Sequence, residues 1–398
     1  MDILIHSRTL RGDINIIPSK SQAHRILICA AFSDRPTQII CPETSRDMEA
    51  TADCLRALGA EIIRRETGYS VFPAKSIPKT AVLNCCESGS TLRFLLPVVG
   101  ALGVDGTFLM EGRLPQRPLS PLWEEMERMG CRLSRPTSHT IRCQGRLLPG
   151  EYRIDGSVSS QFITGLLLAL SLLEQESRLA ITGKVESRPY IDLTRQVLSQ
   201  FGADPDHPGT KKLHTPGYIT VEGDWSNGAF FLAADYLNLD PGLKIQGLSE
   251  LSVQGDRAAA QWIPALCREH CVIDTADIPD LVPILSVAAA AKHGAVFTNI
   301  QRLRIKESDR VVSTINMIQN LGGKADATDN TLTVYGTGLT GGKVDAVNDH
   351  RIAMSAAIAS TVCKQDVVIL GAECVKKSYP KFWEEFSRLG GSYEQYLR

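Results

Sequence analysis

The chain has 398 residues, 43% hydrophobic and 22% charged, with 43 basic against 44 acidic side chains and a net charge of -1. That balance excludes a disordered chain and leaves no global basic field for nucleic acid or anionic lipid, so any anion site has to be built locally. At roughly 100 to 200 residues per domain, the length suggests two or three domains.

The opening residues MDILIHSRTLRGD alternate in polarity and turn polar too soon for a secretory leader, so they read as a strand. Eleven cysteines, two of them adjacent at Cys85 and Cys86, lack a disulfide-style framework and fit free thiols in a reducing cytoplasm. From there an amphipathic helix closes on a glycine and runs into a strand at Gly59, Gly130, Gly202, Gly322 and Gly390. Residues 259–272, AAQWIPALCREHCV, sit where a sixth copy belongs, with a cysteine and charges in place of the glycine. Six units of helix, turn and strand predict a mixed α/β protein of two domains with three units each, with the seam near residues 218–224. The longest apolar stretches, 165–173 and 281–291, are shorter than the roughly 18 residues a bilayer requires and read as buried helices.

The helix starts carry a chemical regularity. Pro18-Ser19-Lys20-Ser21 with Arg25, Ser88-Gly89-Ser90-Thr91 with Arg93, Arg117 with Ser120-Pro121, and Ser157-Val158-Ser159-Ser160-Gln161 each open an apolar run in the first half. Lys306-Glu307-Ser308-Asp309-Arg310, Asn348-Asp349-His350-Arg351 and Lys376-Lys377-Ser378-Tyr379-Pro380 do so in the second. Cations are the wrong sign for a helix N-terminus, where the macrodipole favours an anion by about 0.3 to 1 kcal/mol. Free amides, small hydroxyls and Arg or Lys together suit phosphate and carboxylate, and a cleft between two domains would gather such starts around one ligand set.

Acid/base candidates are Asp280, Glu307, His350, Asp309 and Asp349. The bland alternatives are a cap on the following helix for Asp280, a surface ion pair for Glu307 and capping or packing for His350. Gly336-Thr337-Gly338-Leu339-Thr340-Gly341 matches a dinucleotide pattern, but no helix opens after it, so it reads as a loop. Cys267 and Cys271 have the wrong spacing for half a zinc site and read as core.

Taken together, Pro18-Ser19-Lys20-Ser21, Ser88-Gly89-Ser90-Thr91-Leu92-Arg93, Gln116-Arg117-Pro118, the run from Gly156 to Gln161, Ser187-Arg188-Pro189-Tyr190, Pro279-Asp280, the run from Arg304 to Arg310, Asn348-Asp349-His350-Arg351 and Lys376-Lys377-Ser378-Tyr379-Pro380 resemble the 5-enolpyruvylshikimate-3-phosphate (EPSP) synthase family along nearly the whole chain. The resemblance implies the α/β enolpyruvyl transferase fold: two domains of three βαβαββ units with helix N-termini facing an interdomain cleft. It also implies a discontinuous division, 14–222 against 1–13 plus 223–398.

The reaction implied is transfer of the carboxyvinyl group of phosphoenolpyruvate to the 5-hydroxyl of shikimate 3-phosphate, through a tetrahedral ketal, with release of phosphate. No metal or organic cofactor is expected, and neither is nucleic acid, a membrane or a partner subunit; a cytoplasmic monomer follows. By the matched motifs, Lys20, Ser21, Arg25, Ser159, Ser160, Gln161, Ser187, Asp280 and Lys306 would hold shikimate 3-phosphate. Lys20, Gly89, Arg117, Gln161, Arg310, Arg351 and Lys377 would hold phosphoenolpyruvate, with Arg93, Tyr190 and His350 behind them. Asp280 would act as general base, Glu307 as general acid, and Lys20 on the leaving phosphate. The chain departs from the family at Glu87-Ser88-Gly89-Ser90, where Asn-Ala-Gly-Thr is common. A UDP-N-acetylglucosamine carboxyvinyltransferase would usually carry a cysteine in the loop 111–117, and this loop has none. A non-catalytic binder of anionic metabolites would not need Asp280 and Glu307.

Overall fold

The computed structural model describes residues 1–6, 8–238 and 240–396. The chain divides into two compact units, Met1–Ile17 with Gly223–Arg398 (the split unit) and Pro18–Glu222 (the middle unit). The division falls after Ile17 and not after residue 13, because the second strand, β2 (Gly12–Asn15), pairs with β13 (Leu243–Gln246) of the split unit. Ahead of it, β1 (Ile3–His6) is the strand expected at the N-terminus.

The middle unit follows in one run. It begins with α1 (Lys20–Ala31), β3 (Thr37–Ile40), α2 (Arg46–Ala57), β4 (Glu61–Arg65) and β5 (Gly68–Phe72). Next come β6 (Thr80–Asn84), α3 (Gly89–Leu102), β7 (Asp105–Leu109), α4 (Leu122–Arg128), β8 (Cys131–Thr137) and β9 (Thr140–Gly145). It ends with β10 (Glu151–Asp155), α5 (Ser160–Leu170), β11 (Arg178–Thr182), α6 (Arg188–Gln200) and β12 (Tyr218–Thr220). Its sheets run β12-β3-β5-β4, β6-β7-β9-β8 and β10-β11.

The split unit resumes with α7 (Trp225–Leu237), β13 and α8 (Ala259–Leu266). Then come β14 (Cys271–Asp274), α9 (Val282–Ala291), β15 (Ala295–Thr298), α10 (Arg310–Asn320), β16 (Lys324–Ala327) and β17 (Thr331–Tyr335). The last elements are β18 (Gly342–Asp345), α11 (His350–Ala359), β19 (Val367–Leu370), α12 (Phe382–Arg388) and β20 (Ser392–Gln395). Its sheets run β14-β15-β17-β16, β18-β19-β1-β20 and β13-β2.

Each unit therefore has two four-stranded sheets and one two-stranded parallel sheet among the described residues. The short sheets lack the closing hairpin. After α6 the chain carries Pro205, Pro208 and Pro216, which cannot donate to a ladder, and after α8 only residues 267–270 precede β14. The five repeat glycines all take positive φ, between 73° and 109°, as helix stops ahead of a strand require. The glycine-rich segment 336–341 is the loop between β17 and β18.

The helices α3, α5, α7, α9 and α11 are apolar nearly all round and buried, as such helices must be. In the split unit α7, α9 and α11 pack on one another, and in the middle unit α3 packs on α5. Gly165 permits that last contact, because a Cβ there would stand 2.2 Å from the carbonyl oxygen of Arg93. Each unit has its own apolar core. With the helix barrels buried, polar side chains concentrate in the first turns, with only isolated ones such as Thr164, Ser286 and Ser355 further along. Because β6-α3-β7, β10-α5-β11, β14-α9-β15 and β18-α11-β19 are parallel crossovers, those first turns lie at the carboxyl ends of the leading strands.

Candidate active site

In the middle unit Ser19, Ser88 and Ser159 cap α1, α3 and α5, accepting from the amides of Gln22, Thr91 and Gln161 respectively. The caps place Lys20, Ser21, Gly89, Ser160 and Gln161 in first turns, with free helix amides around them. Lys20 Nζ pairs with Asp47 Oδ2 at 2.9 Å, both side chains 16% exposed. A buried hydroxyl rail runs behind this pair: His24 Nδ1 to Thr51 Oγ1 at 2.7 Å, Thr51 to Thr91 at 2.7 Å and Thr91 to Ser88 at 2.7 Å. Burial and the neighbouring cations Lys20 and Arg25 hold His24 well below the usual imidazole range, so it serves as a neutral strut.

Arg93 donates to Gln161 Oε1 at 2.9 Å and to the Pro118 carbonyl at 3.0 Å. Gln161 in turn donates to Ser90 Oγ at 3.0 Å, which ties α5 to α3. Gly89 lies against the tips of Arg93 and Arg117. Ser187 stands in left-handed backbone at the start of α6, with φ 53°, and its hydroxyl does not cap the helix. Arg25 has a different placement from the other cations. It is buried and donates to Thr194 Oγ1 at 2.8 Å, Ser21 O at 2.5 Å, Thr164 Oγ1 at 3.1 Å and Tyr190 O at 3.0 Å. Its guanidinium brackets α1 to α5 and α6 and steadies Ser21, whose side chain remains partly exposed.

In the split unit the charged residues converge on Asp280. Its Oδ1 receives Arg310 Nη1 at 2.6 Å and stands 3.4 Å from Lys306 Nζ; its Oδ2 receives Arg351 Nη2 at 3.0 Å. Asp280 is not the cap of α9, since Leu281 holds that position and no side chain caps the helix. Burial opposes ionisation of Asp280, yet Arg351, Lys306 and Arg310 together hold its carboxyl well below the usual carboxylate range. Arg310 also donates to Glu307 Oε2 at 2.5 Å and, through Nε, to Asp349 Oδ2 at 2.9 Å. Asp349 is fully buried, caps α11 and takes a further bond from Ser308 at 2.9 Å. It thus supports Arg310 from beneath, beside the buried His350. Lys306 precedes α10 in extended backbone, so it reaches Asp280 from a turn and not from a shared helical face with Arg310. Asp309 is the cap of α10. Lys377 Nζ donates to the Asn348 carbonyl at 2.8 Å.

The structure brings together, within the middle unit, Lys20 with Asp47 and Gly89 with Arg93, Arg117 and Gln161, and, within the split unit, Asp280 with Lys306, Arg310, Glu307 and Arg351. Sequence reasoning missed Asp47, Ser226 and Asp256. Asp47 had a weak signal, as an acid in the first turn of α2 that an ordinary dipole argument already accounts for. No group of His, Cys, Asp or Glu among the described residues could hold a metal ion. Cys271 is buried and the Cys267 thiol donates to the Tyr236 carbonyl. No helix among the described residues is long and apolar enough to cross a membrane.

Residues 5–386 match the family described as EPSP synthase (3-phosphoshikimate 1-carboxyvinyltransferase). The 3-phosphoshikimate 1-carboxyvinyltransferase of Clostridium kluyveri is 37% identical over 421 residues, covering 99% of this chain and 98% of that protein. The protein of the same description from Clostridium acetobutylicum is 36% identical over 423 residues, covering 99% and 98%. Among solved structures, an EPSP synthase from Acinetobacter baumannii matches the fold with a TM-score of 0.81 at 19% identity, covering 100% of both chains. The enolpyruvyl transferase NikO from Streptomyces tendae matches with a TM-score of 0.76 at 18% identity, covering 99% of this chain and 98% of that one.

Proposed function

Because the chain belongs to the EPSP synthase family, we propose how its own residues divide the work of the family's reaction. The protein is a transferase of the shikimate pathway, which leads to aromatic amino acids: it moves the carboxyvinyl group of phosphoenolpyruvate to shikimate 3-phosphate. The two substrates bring two phosphates and two carboxylates, and the cationic first turns answer that charge. Lys20, Ser21, Ser159, Ser160, Gln161, Ser187 and Lys306 hold shikimate 3-phosphate, with Arg25 steadying Ser21. Gly89, Arg117, Arg310, Arg351 and Lys377 hold phosphoenolpyruvate, and Lys20 and Gln161, between the two substrates, reach it as well.

Asp280 takes the proton of the 5-hydroxyl as that oxygen bonds to C2 of phosphoenolpyruvate, while Glu307 gives a proton to the methylene carbon, which becomes a methyl group. The resulting tetrahedral ketal loses a methyl proton and its C–O bond to phosphate breaks, restoring the vinyl group. Lys20 stabilises the departing phosphate. The observation that carries this reading is the convergence of Arg310, Arg351 and Lys306 on one largely buried carboxylate, Asp280. An acid held so firmly by three cations is a weak base. Substrate anions that draw those cations away restore its basicity, and the same displacement frees Glu307 from Arg310 to carry a proton. The reading takes the protein to act as a cytoplasmic monomer, with no metal or organic cofactor.

The test is to mix the protein with phosphoenolpyruvate and shikimate 3-phosphate and follow phosphate release alongside the mass of the enolpyruvyl product. Equal amounts of the two are expected, with neither substrate alone releasing phosphate. Release with UDP-N-acetylglucosamine in place of shikimate 3-phosphate, or binding without turnover, would overturn the reading.

A further inference from the structure

Asp256 lies in the short turn Gly255–Ala258 ahead of α8 and is buried, with 4% of its surface exposed. No motif and none of the ligand assignments above uses it. The hydroxyl of Ser226, in the first turn of α7, donates to Asp256 Oδ2 and accepts from Arg351 Nη2 at 3.1 Å. The same nitrogen donates its other hydrogen to Asp280 Oδ2 at 3.0 Å, and Arg351 Nη1 reaches the Asp280 carbonyl at 3.2 Å. One chain of contacts thus runs from Asp256 through Ser226 and Arg351 to Asp280, joining the starts of α7, α9 and α11.

We propose that Asp256 is a positioning residue: its carboxylate takes the single hydrogen of the Ser226 hydroxyl, so that the serine lone pairs face Arg351 and fix its guanidinium in the plane that meets phosphoenolpyruvate and Asp280. A serine hydroxyl has one hydrogen, and an ionised carboxylate can only accept it. A neutral partner can donate instead, which lets the hydroxyl reverse and turn its hydrogen toward the cation. Burial is the largest influence on Asp256, and Asp280 and Asp224 add to it while Arg351 and the Ser226 hydroxyl oppose; the carboxyl is pushed up to about 6 and stays ionised at neutral pH. The inference rests on the reading that Arg351 holds phosphoenolpyruvate beside Asp280.

The experiment compares Asp256→Asn, Ser226→Ala, their double variant and Arg351→Lys by steady-state kinetics and by calorimetric binding of each substrate. Loss of one hydrogen bond to a charged group should raise KM for phosphoenolpyruvate about tenfold in each of the first two variants and leave KM for shikimate 3-phosphate within about twofold. The double variant should be no worse than either single one, because both act through one chain. An equal rise in both KM values, additive losses, or unchanged phosphoenolpyruvate affinity in both single variants overturns the inference. Ser226→Ala removes only a hydroxyl and carries the test if Asp256→Asn does not fold. Arg351→Lys separates the two failures: normal phosphoenolpyruvate affinity there overturns the ligand assignment, whereas loss there with normal affinity in Ser226→Ala overturns the positioning role alone.

Discussion

Gly89 and Arg117 leave no room between them for a side chain: a methyl group on Gly89 would fall 2.5 Å from Arg117 Nη1, and 2.8 Å from Arg93 Nη1. The obstructing atoms are the ends of long, flexible side chains, so the fold can yield where the ligand geometry cannot. In Gly89→Ala the helix itself should be little affected, because Gly89 is its first residue and the preference for alanine over glycine, about 1 kcal/mol, applies to helix interiors. Arg117 has to swing away, and KM for phosphoenolpyruvate should rise about tenfold while shikimate 3-phosphate binds as before. Kinetics with each substrate varied in turn check this; an unchanged phosphoenolpyruvate KM would remove Arg117 from the ligand set.

Asp280→Asn keeps the shape of the side chain and removes its charge. Arg310, Arg351 and Lys306 then lose the carboxylate they share, so anionic ligands should bind as tightly as before or tighter. Turnover should fall by about 10²- to 10⁴-fold, the usual contribution of a positioned proton acceptor. Calorimetry for binding and phosphate release for turnover separate the two effects, and near-normal turnover would refute the base assignment.

What was legible in the sequence is local. Ser19, Ser88 and Ser159 each stand one polar turn or so ahead of an apolar run, and a cap followed by a buried helix is decided within a few residues of chain. The positive-φ glycines at Gly59, Gly130, Gly202, Gly322 and Gly390 are likewise local stops. The partners of those helix starts are not local. Arg351 and Asp280 are 71 residues apart in the chain, and Arg25 and Thr194 are 169 apart. Nothing about Arg25 distinguishes a cation that brackets three helices from one offered to a phosphate, and nothing about Asp256, an acid in a short turn, marks it as lying behind Arg351. The missing third hairpins were hidden for another reason: the glycine stop after α6 promised a strand, and only Pro205, Pro208 and Pro216 argue against it.

Lys306 should set the basic side of the pH profile. Burial lowers its ammonium group to about 8, against the pull of Asp280. Below that pH it is a cation and pairs with Asp280; above it the amine is neutral and an anionic ligand loses a counter-charge. In kcat/KM for shikimate 3-phosphate, which reports the free enzyme, a fall with an apparent pKa of about 8 is expected. Lys306→Arg keeps the charge at every accessible pH and should abolish that limb. Its persistence in the arginine variant would assign the titration to another group.

Arg25 is expected to matter more to the fold than to affinity. Four of its hydrogen bonds go to protein oxygens on α1, α5 and α6, and its guanidinium lies 4.9 Å from the Phe94 ring centroid. Lysine cannot reproduce a planar fork, so Arg25→Lys would leave Thr164, Thr194 and the Tyr190 carbonyl short of buried donors. A loss of about 2 to 4 kcal/mol of stability follows from several unmade buried bonds. Denaturant unfolding should show a lower midpoint with an unchanged slope, and shikimate 3-phosphate should bind the folded fraction within about threefold of normal. Unchanged stability with strongly weakened binding would instead make Arg25 a direct phosphate ligand, because only a fork free to turn toward the substrate could be lost without cost to the helices it brackets.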